Sequence, residues 1–292
     1  MHRPPASCYD GSALAESPDI DGFDVHERGP HTVLIRPEWE PWLLEDLLDD
    51  FRGVEPSRRR IYAHGRAAHF SYLPRGAPAR VFVRKAVRGG LIGRLWGGLY
   101  LGRARPLHEL RASAAALRAG VAVPEPLAVR ATRTAGLFRR FTVVTREIEG
   151  VSNLLLLIPG LGPSDKRRLL ERVADEVRRL HEAGIYHGDL TLQNVLSDGA
   201  NVHLIDLDKA VLRGCREGRW DVRNLSRLNR SVEKLFGPRG PVTRTDRLRF
   251  LRRYLGGRER LREVARACSA GLWVHRLWWF LTRPLGTGDP RP

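Results

Sequence analysis

Between Ile185 and Ala210 the chain reads IYHGDLTLQNVLSDGANVHLIDLDKA, and no other stretch restricts the possible fold as much. Two short apolar pieces lie around polar residues, one over 185–194 and one over 202–206. The residues between them, Ser197–Ala200, have turn chemistry and lead into a short strand ending at Asp206. Ahead of the stretch, Ser164–Ala183 has apolar residues at helical spacing, with Ser164 as the expected N-cap and Gly184 closing the helix. A chain built this way must carry a polar loop at the end of a long amphipathic helix and return through a tight turn.

The spacing within the loop has chemical content. His187-x-Asp189 is followed five residues later by Asn194, and beyond the turn by Asp206. In kinase-type phosphotransferases this is the order of a catalytic loop and a metal-binding aspartate. An acceptor hydroxyl needs a carboxylate within hydrogen-bond reach to orient it and take its proton, and Asp189 is the candidate. Mg²⁺ prefers oxygen ligands, which the Asn194 amide and the Asp206 carboxylate offer. A lone H-x-D is common, and Asp-Gly pairs mark ordinary turns. Here H-x-D-L-x-x-x-N-V-L, a turn and L-I-D stand together. His187 reads as a brace for the loop, not a proton carrier.

Upstream the pattern is β-rich. Thr32–Arg36 reads as a strand, Glu40–Phe51 as a helix, Ile61–Leu73 as a hairpin turning at Gly65, and Arg80–Arg84 as a third hairpin-connected strand. Gly89–Gly102 holds six glycines and reads as an irregular connection. Pro106–Ala119 reads as a helix, with Pro at its start and Gly120 past its end. Val121–Val129 and Phe141–Ile148 read as two more strands. Such a lobe could clamp a nucleotide, with Gly65 allowing close backbone approach to phosphate. A cation on the third strand would pair with phosphates and with a helix glutamate, for which Glu109 is placed. Period-2 alternation puts Arg84 on the face of Phe82 and Lys85 on the opposite one; register favours Arg84, and a solvated edge charge is the plain alternative for either.

Charge narrows the partner. The 292 residues hold 50 Lys+Arg and 33 Asp+Glu, a formal net charge of +17. Residues 209–292 hold 21 basic and 7 acidic residues, a net of +14, so the first 208 are nearly balanced. The end of the chain sets Trp273, Trp278, Trp279 and Phe280 beside His275, Arg276 and Arg283. Trp with Arg suits a bilayer interface, and docking on the large lobe is the alternative. Cys8, Cys215 and Cys268 form no C-x-x-C pair, which argues against a disulfide framework or a zinc site. No apolar run reaches the ~18–20 residues of a membrane span, and no secretory signal is evident. A soluble or peripherally attached cytoplasmic protein is expected, with an anionic membrane surface as partner and neither nucleic acid nor a stable protein partner inferred.

The chain resembles the lipopolysaccharide core kinases, especially the 3-deoxy-D-manno-octulosonic acid (Kdo) kinases. The similar stretches are 65–70 (GRAAHF), 83–94 (VRKAVRGGLIGR), Glu109-Leu110, 120–126 (GVAVPEP), the catalytic loop and 204–208 (LIDLD). The R-x-x-x-R-G-G-L pattern is the most specific of them. The resemblance implies an α+β, two-lobed protein-kinase-like fold: a small antiparallel sheet with one helix, and a larger, mostly helical lobe. The lobes would span residues 31–150 and 151–292, after a flexible tail over 1–30. It also implies ATP and Mg²⁺ as cofactors, a Kdo-bearing lipid A glycolipid as acceptor, and a place on the cytoplasmic face of the inner membrane. By position, Asp189 resembles the catalytic base; Asn194, Asp206 and Asp208 the metal site; and Gly65, Arg84, Lys85, Glu109 and Asn194 the nucleotide site. Asp221, ahead of Asn224 and Arg227, resembles the residue tying the catalytic loop to the next helix. Two departures stand out: His187-Gly188-Asp189 lacks the Arg of H-R-D, and Ala67 replaces a second hairpin glycine. A heptose, small-molecule or atypical Ser/Thr kinase, or an inactive kinase-like binding protein, are the alternative readings.

Overall fold

In the computed structural model, residues 20–62, 69–86, 100–101, 104–135, 138–212, 220–237 and 239–269 are described. Gly65, Ala67, residues 88–94 of the R-G-G-L region and the Trp-containing segment 271–284 lie outside them.

The N-terminal lobe is an antiparallel sheet. Its strands are β1 (Asp24–Arg28), β2 (His31–Ile35), β3 (Arg60–Tyr62), β4 (His69–Tyr72), β5 (Val81–Lys85), β6 (Tyr100–Leu101), β7 (Pro126–Ala135) and β8 (Phe138–Arg146). They run in the order β1-β2-β7-β8-β5-β4-β3, with β6 also paired to β8. Alternation along each strand feeds two cores. Val33, Ile35, Val81, Val83 and Val144 face α1 (Glu40–Leu48), which contributes Leu43, Leu44 and Leu47. Leu34, Val129, Phe141 and Val143 face α2 (Ala104–Arg118), which contributes Leu107, Leu110 and Ala114. Each large apolar side chain buried in this way contributes about 1.5–3 kcal/mol. A sheet covered on both faces holds β5 firmly, and β5 carries Arg84.

Two expectations need correction here. The tail expected over 1–30 ends earlier: Asp24–Arg28 pairs with β2, and Ile20 and Phe23 are buried against α2 and the sheet. The sequence DVHER is polar enough to be missed because β1 is an edge strand with both faces largely exposed. The long helix, α4 (Pro163–Glu182), is capped by Gly162 with Pro163 in its first turn, not by Ser164. The fixed φ of proline suits that first turn.

The C-terminal lobe is mostly helical. After the short strand β9 (Ser152–Asn153) and the single turn α3 (Leu154–Leu157), α4 packs Leu170, Val173, Ala174 and Val177 into a large core. Helices α5 (Trp220–Phe236), α6 (Arg244–Leu255) and α7 (Leu261–Ser269) close that core with Leu225, Val232, Leu251 and Val264. A Thr243–Asp246 capping box starts α6. Between α4 and α5 run four short strands: β10 (Ile185–Tyr186), β11 (Val195–Ser197), β12 (Val202–Leu204) and β13 (Val211–Leu212). β10 pairs β13, and β11 pairs both β12 and β9. These pairings bring the 187–194 loop and residues 205–210 together.

Candidate active site

The loop is set by His187, which is fully buried. Its Nε2–H donates to the Ile205 carbonyl at 2.8 Å, and its Nδ1 accepts the Asp189 backbone N–H at 3.1 Å. Both ring nitrogens are used, so the ring is neutral; burial lowers its pKa despite the Ile205 hydrogen bond. This is the bracing role expected from sequence. It ties the residue before Asp206 to the backbone of Asp189.

Asn194 faces the same loop. Its Nδ2 donates to the Asp189 carbonyl at 2.8 Å, so the amide oxygen takes no part in that bond and could face a metal. Its own carbonyl accepts the Ile205 N–H at 3.0 Å. Asp206 has a left-handed backbone, φ 66 and ψ 56, and begins a 3₁₀ turn over Leu207–Lys209. A non-glycine residue held there is an uncommon state that clusters at functional sites. Asp206 and Asn194 are two oxygen donors fit for Mg²⁺, which usually binds one or two protein groups and takes the rest from water and phosphate. Among the described residues no group of three or more His, Cys, Asp or Glu side chains forms a self-sufficient metal cage. The donor set therefore suits a metal that arrives with phosphate.

On the N-terminal lobe, Arg84 Nη2 donates to Glu109 Oε1, and its Nη1 lies 3.8 Å from Asp206 Oδ1. The Glu109 charge, against the cost of burial, raises the Arg84 pKa and keeps it charged. Burial raises the Glu109 carboxyl, with Arg84 pulling the other way. Asp208 adds negative charge near both. Lys85 points to the other side of β5, where its Nζ lies 3.3 Å from Asp50 Oδ2. The expected register is thus observed: Arg84 joins Glu109 and Asp206, and Lys85 does not join them. Asp50 in turn pairs with Arg130, whose Nη1 also donates to the Leu47 carbonyl at 2.5 Å.

The Asp189 carboxylate is held by two cations that sequence reasoning missed. Lys209 Nζ donates to Oδ2 at 2.8 Å, and Arg227 Nε lies 3.0 Å from Oδ1. Burial alone would raise this carboxyl, but the Lys209 hydrogen bond and the Arg227 charge outweigh it and hold it below the ordinary aspartate range. Arg227 Nη1 also donates to the Gly188 carbonyl at 2.6 Å. Arg227 therefore ties the loop to α5, as does the Ser231 hydroxyl, which accepts the Leu192 N–H at 3.2 Å; the Asp221 carboxylate accepts the N–H of Val222 at 2.7 Å. Gly188 carried an available signal. A Cβ there would sit 2.0 Å from the Lys209 carbonyl oxygen, so only glycine permits this approach.

Helix α2 ties the lobes with adjacent residues. Glu109 holds Arg84, and His108 Nε2 donates to the Ala210 carbonyl. The 121–123 segment adds a second tie: Ala122 donates its N–H to Glu176 at 3.2 Å and accepts the Leu204 N–H at 2.9 Å.

An eight-stranded antiparallel sheet with a strand cation paired to a helix glutamate, together with a loop carrying Asp, Asn and a following Asp, defines a protein-kinase-like fold. A solved structure described as WaaP in complex with acyl carrier protein shares that fold, with a TM-score of 0.58, 24% identity, and coverage of 86% of this chain and 99% of that one. The chain belongs to the lipopolysaccharide kinase (Kdo/WaaP) family, whose model matches residues 58–254. Similar curated proteins include 3-deoxy-D-manno-octulosonic acid kinase of Xylella fastidiosa (strain M12), 35% identical over 54% of this chain and 63% of that protein. The protein of the same name from Xanthomonas campestris pv. campestris (strain B100) is 37% identical over 56% of this chain and 65% of its own length. The match thus spans a little under two thirds of these relatives.

Proposed function

We propose that this chain is an ATP-dependent kinase that phosphorylates a Kdo hydroxyl on the inner core of a lipid A glycolipid. The observation that carries the reading is that the family match, residues 58–254, contains Arg84, Glu109, Asp189, Asn194 and Asp206, the residues that meet in the site. The names of the similar curated proteins support Kdo as the acceptor sugar.

In this reading the acceptor hydroxyl lies against Asp189, which takes its proton as the oxygen attacks the γ-phosphorus of ATP. The bond to the β-phosphate oxygen breaks and ADP leaves. Arg84, fixed by Glu109, binds nucleotide phosphate. Mg²⁺ held by Asn194 and Asp206, with Asp208 near, would offset phosphate charge during transfer. Gly65 is assigned to the cover over the phosphates by sequence alone.

The basic C-terminal region supports approach to an anionic membrane surface. Between α4 and α6 lies a groove of about 510 Å³ whose lining includes Arg178, Arg249, Arg252 and Arg258. Each basic residue near such a surface contributes about 1 kcal/mol. Among the described residues no helix is long and apolar enough to cross a membrane. This reading places the chain on the cytoplasmic face of the inner membrane.

The test is acceptor selectivity: phosphate transfer from ATP to lipid A with Kdo, to lipid A without Kdo, and to a heptose-bearing core. Transfer that requires Kdo and marks its sugar supports the reading. Transfer to heptose alone would replace the acceptor while keeping the enzyme class.

A further inference from the structure

The catalytic loop, HGDLTLQN, has no Lys or Arg between His187 and Asn194. Yet a phosphoryl group in transfer spreads negative charge over three oxygens and needs positive charge close to the attacking oxygen. Among the described residues, three cations lie around the site. Arg84 is bound by Glu109 on the N-terminal lobe. Arg227 is anchored to the backbone carbonyl of Gly188 as well as to Asp189. Lys209 is different: its side chain, about as exposed as that of Arg227, bonds the Asp189 carboxylate, the group that meets the acceptor, and among the described contacts it has no backbone anchor of the kind Gly188 gives Arg227.

We propose that Lys209 is a catalytic residue that leaves Asp189 Oδ2 when the phosphoryl group in transfer occupies the site and contacts its oxygens. The inference rests on the kinase reading above. Two independent features place Lys209 there. First, Gly188 stands where the H-R-D pattern has Arg, and its missing side chain is the space the Lys209 backbone occupies; an added Cβ would lie 2.0 Å from the Lys209 carbonyl oxygen and 2.6 Å from its Cβ. Second, α2 grips the same segment through His108 and Ala210, one residue from the Glu109 that holds Arg84. The segment after Asp206 thus offers the site a cation that the loop itself does not carry. An ammonium suits the exchange, being a compact charge on a flexible stem. It stays protonated throughout: the hydroxyl proton goes to Asp189, the new O–P bond forms, and the bond to ADP breaks.

The test compares Lys209→Met and Lys209→Arg with the native chain. Calorimetry without any sugar acceptor measures a non-hydrolysable ATP analogue, ADP, and ADP with aluminium fluoride, a mimic of the phosphoryl group in transfer. Native protein is expected to bind the mimic more tightly than ADP. Lys209→Met should bind the ATP analogue like native but lose that added affinity, and Lys209→Arg should regain part of it. In turnover with a functioning acceptor, Lys209→Met should lower kcat by about 10²–10³-fold, the effect of removing one charge-stabilising donor. Equal thermal melting of Lys209→Met and native protein separates this from misfolding; should Lys209→Met melt early, Lys209→Arg alone decides by the same affinities. Undiminished affinity of Lys209→Met for the mimic would overturn the proposal. Failure of the native chain to bind ATP would overturn the kinase reading and this one together, whereas failure with Kdo alone leaves the nucleotide result standing.

Discussion

His187 and Ile205 are joined by a 2.8 Å hydrogen bond from the imidazole Nε2–H to the backbone carbonyl, and the other ring nitrogen receives the Asp189 N–H. One fully buried side chain therefore sets the distance between the proposed base and the proposed metal ligand at 206. Replacing it by alanine removes both bonds and leaves two backbone groups unpaired. His187→Ala should destabilise the fold by about 2–4 kcal/mol, at 1–3 kcal/mol per unsatisfied buried group with partial relaxation. Chemical denaturation would measure this.

The same histidine predicts an acid-side loss of stability. Its folded-state pKa lies below the ordinary histidine value of 6.5, because burial disfavours the charged ring. Protons therefore bind the unfolded chain first, and stability present above 6.5 declines as pH falls through that value toward the lower folded pKa. Thermal melting between pH 7.5 and 5 should show the fall, and His187→Gln should flatten it.

Arg84 and Glu109 form the bridge between sheet and helix. Glu109→Ala removes the nearer of the two carboxylates beside Arg84 and leaves Asp206, so it should cost less than the ~3–5 kcal/mol of breaking a fully buried pair. ATP affinity should fall with it, as measured by calorimetry. Lys85→Ala, on the other side of β5 and bonded to Asp50, should leave ATP affinity close to native.

Asn194→Ala removes one proposed metal oxygen and the bond to the Asp189 carbonyl. The Mg²⁺ concentration for half-maximal activity should rise by about 10–100-fold, the range seen when groups that support a bound metal are removed. A Mg²⁺ titration at saturating ATP checks it.

The parts of the site that were legible in the sequence are those set by local spacing. Asp189, Asn194 and Asp206 lie within eighteen residues, on a loop and turn whose geometry the chain itself encodes. Arg84 could be separated from Lys85 because side chains alternate along a strand. What escaped depends on tertiary approach. Lys209 and Arg227 reach Asp189 from 20 and 38 residues away; Arg227 could be placed on the helix after the loop, but no local spacing marks either residue as a partner of that carboxylate. Gly188 held the clue, since its lack of a side chain matters only because Lys209 is packed against it. β1 escaped because DVHER lies at the sheet edge and buries too little to show an apolar alternation.

In the proposed reaction Asp189 accepts the proton of a Kdo hydroxyl during phosphate transfer. The most direct measurement follows labelled γ-phosphate from ATP to Kdo-bearing lipid A in the presence of Mg²⁺, with native protein and with Asp189→Asn. The native chain should transfer phosphate and the variant should lose about 10²–10⁴-fold, the span of general-base catalysis, with ATP binding retained. Transfer by Asp189→Asn at the native rate, or none by the native chain, would contradict the proposed reaction.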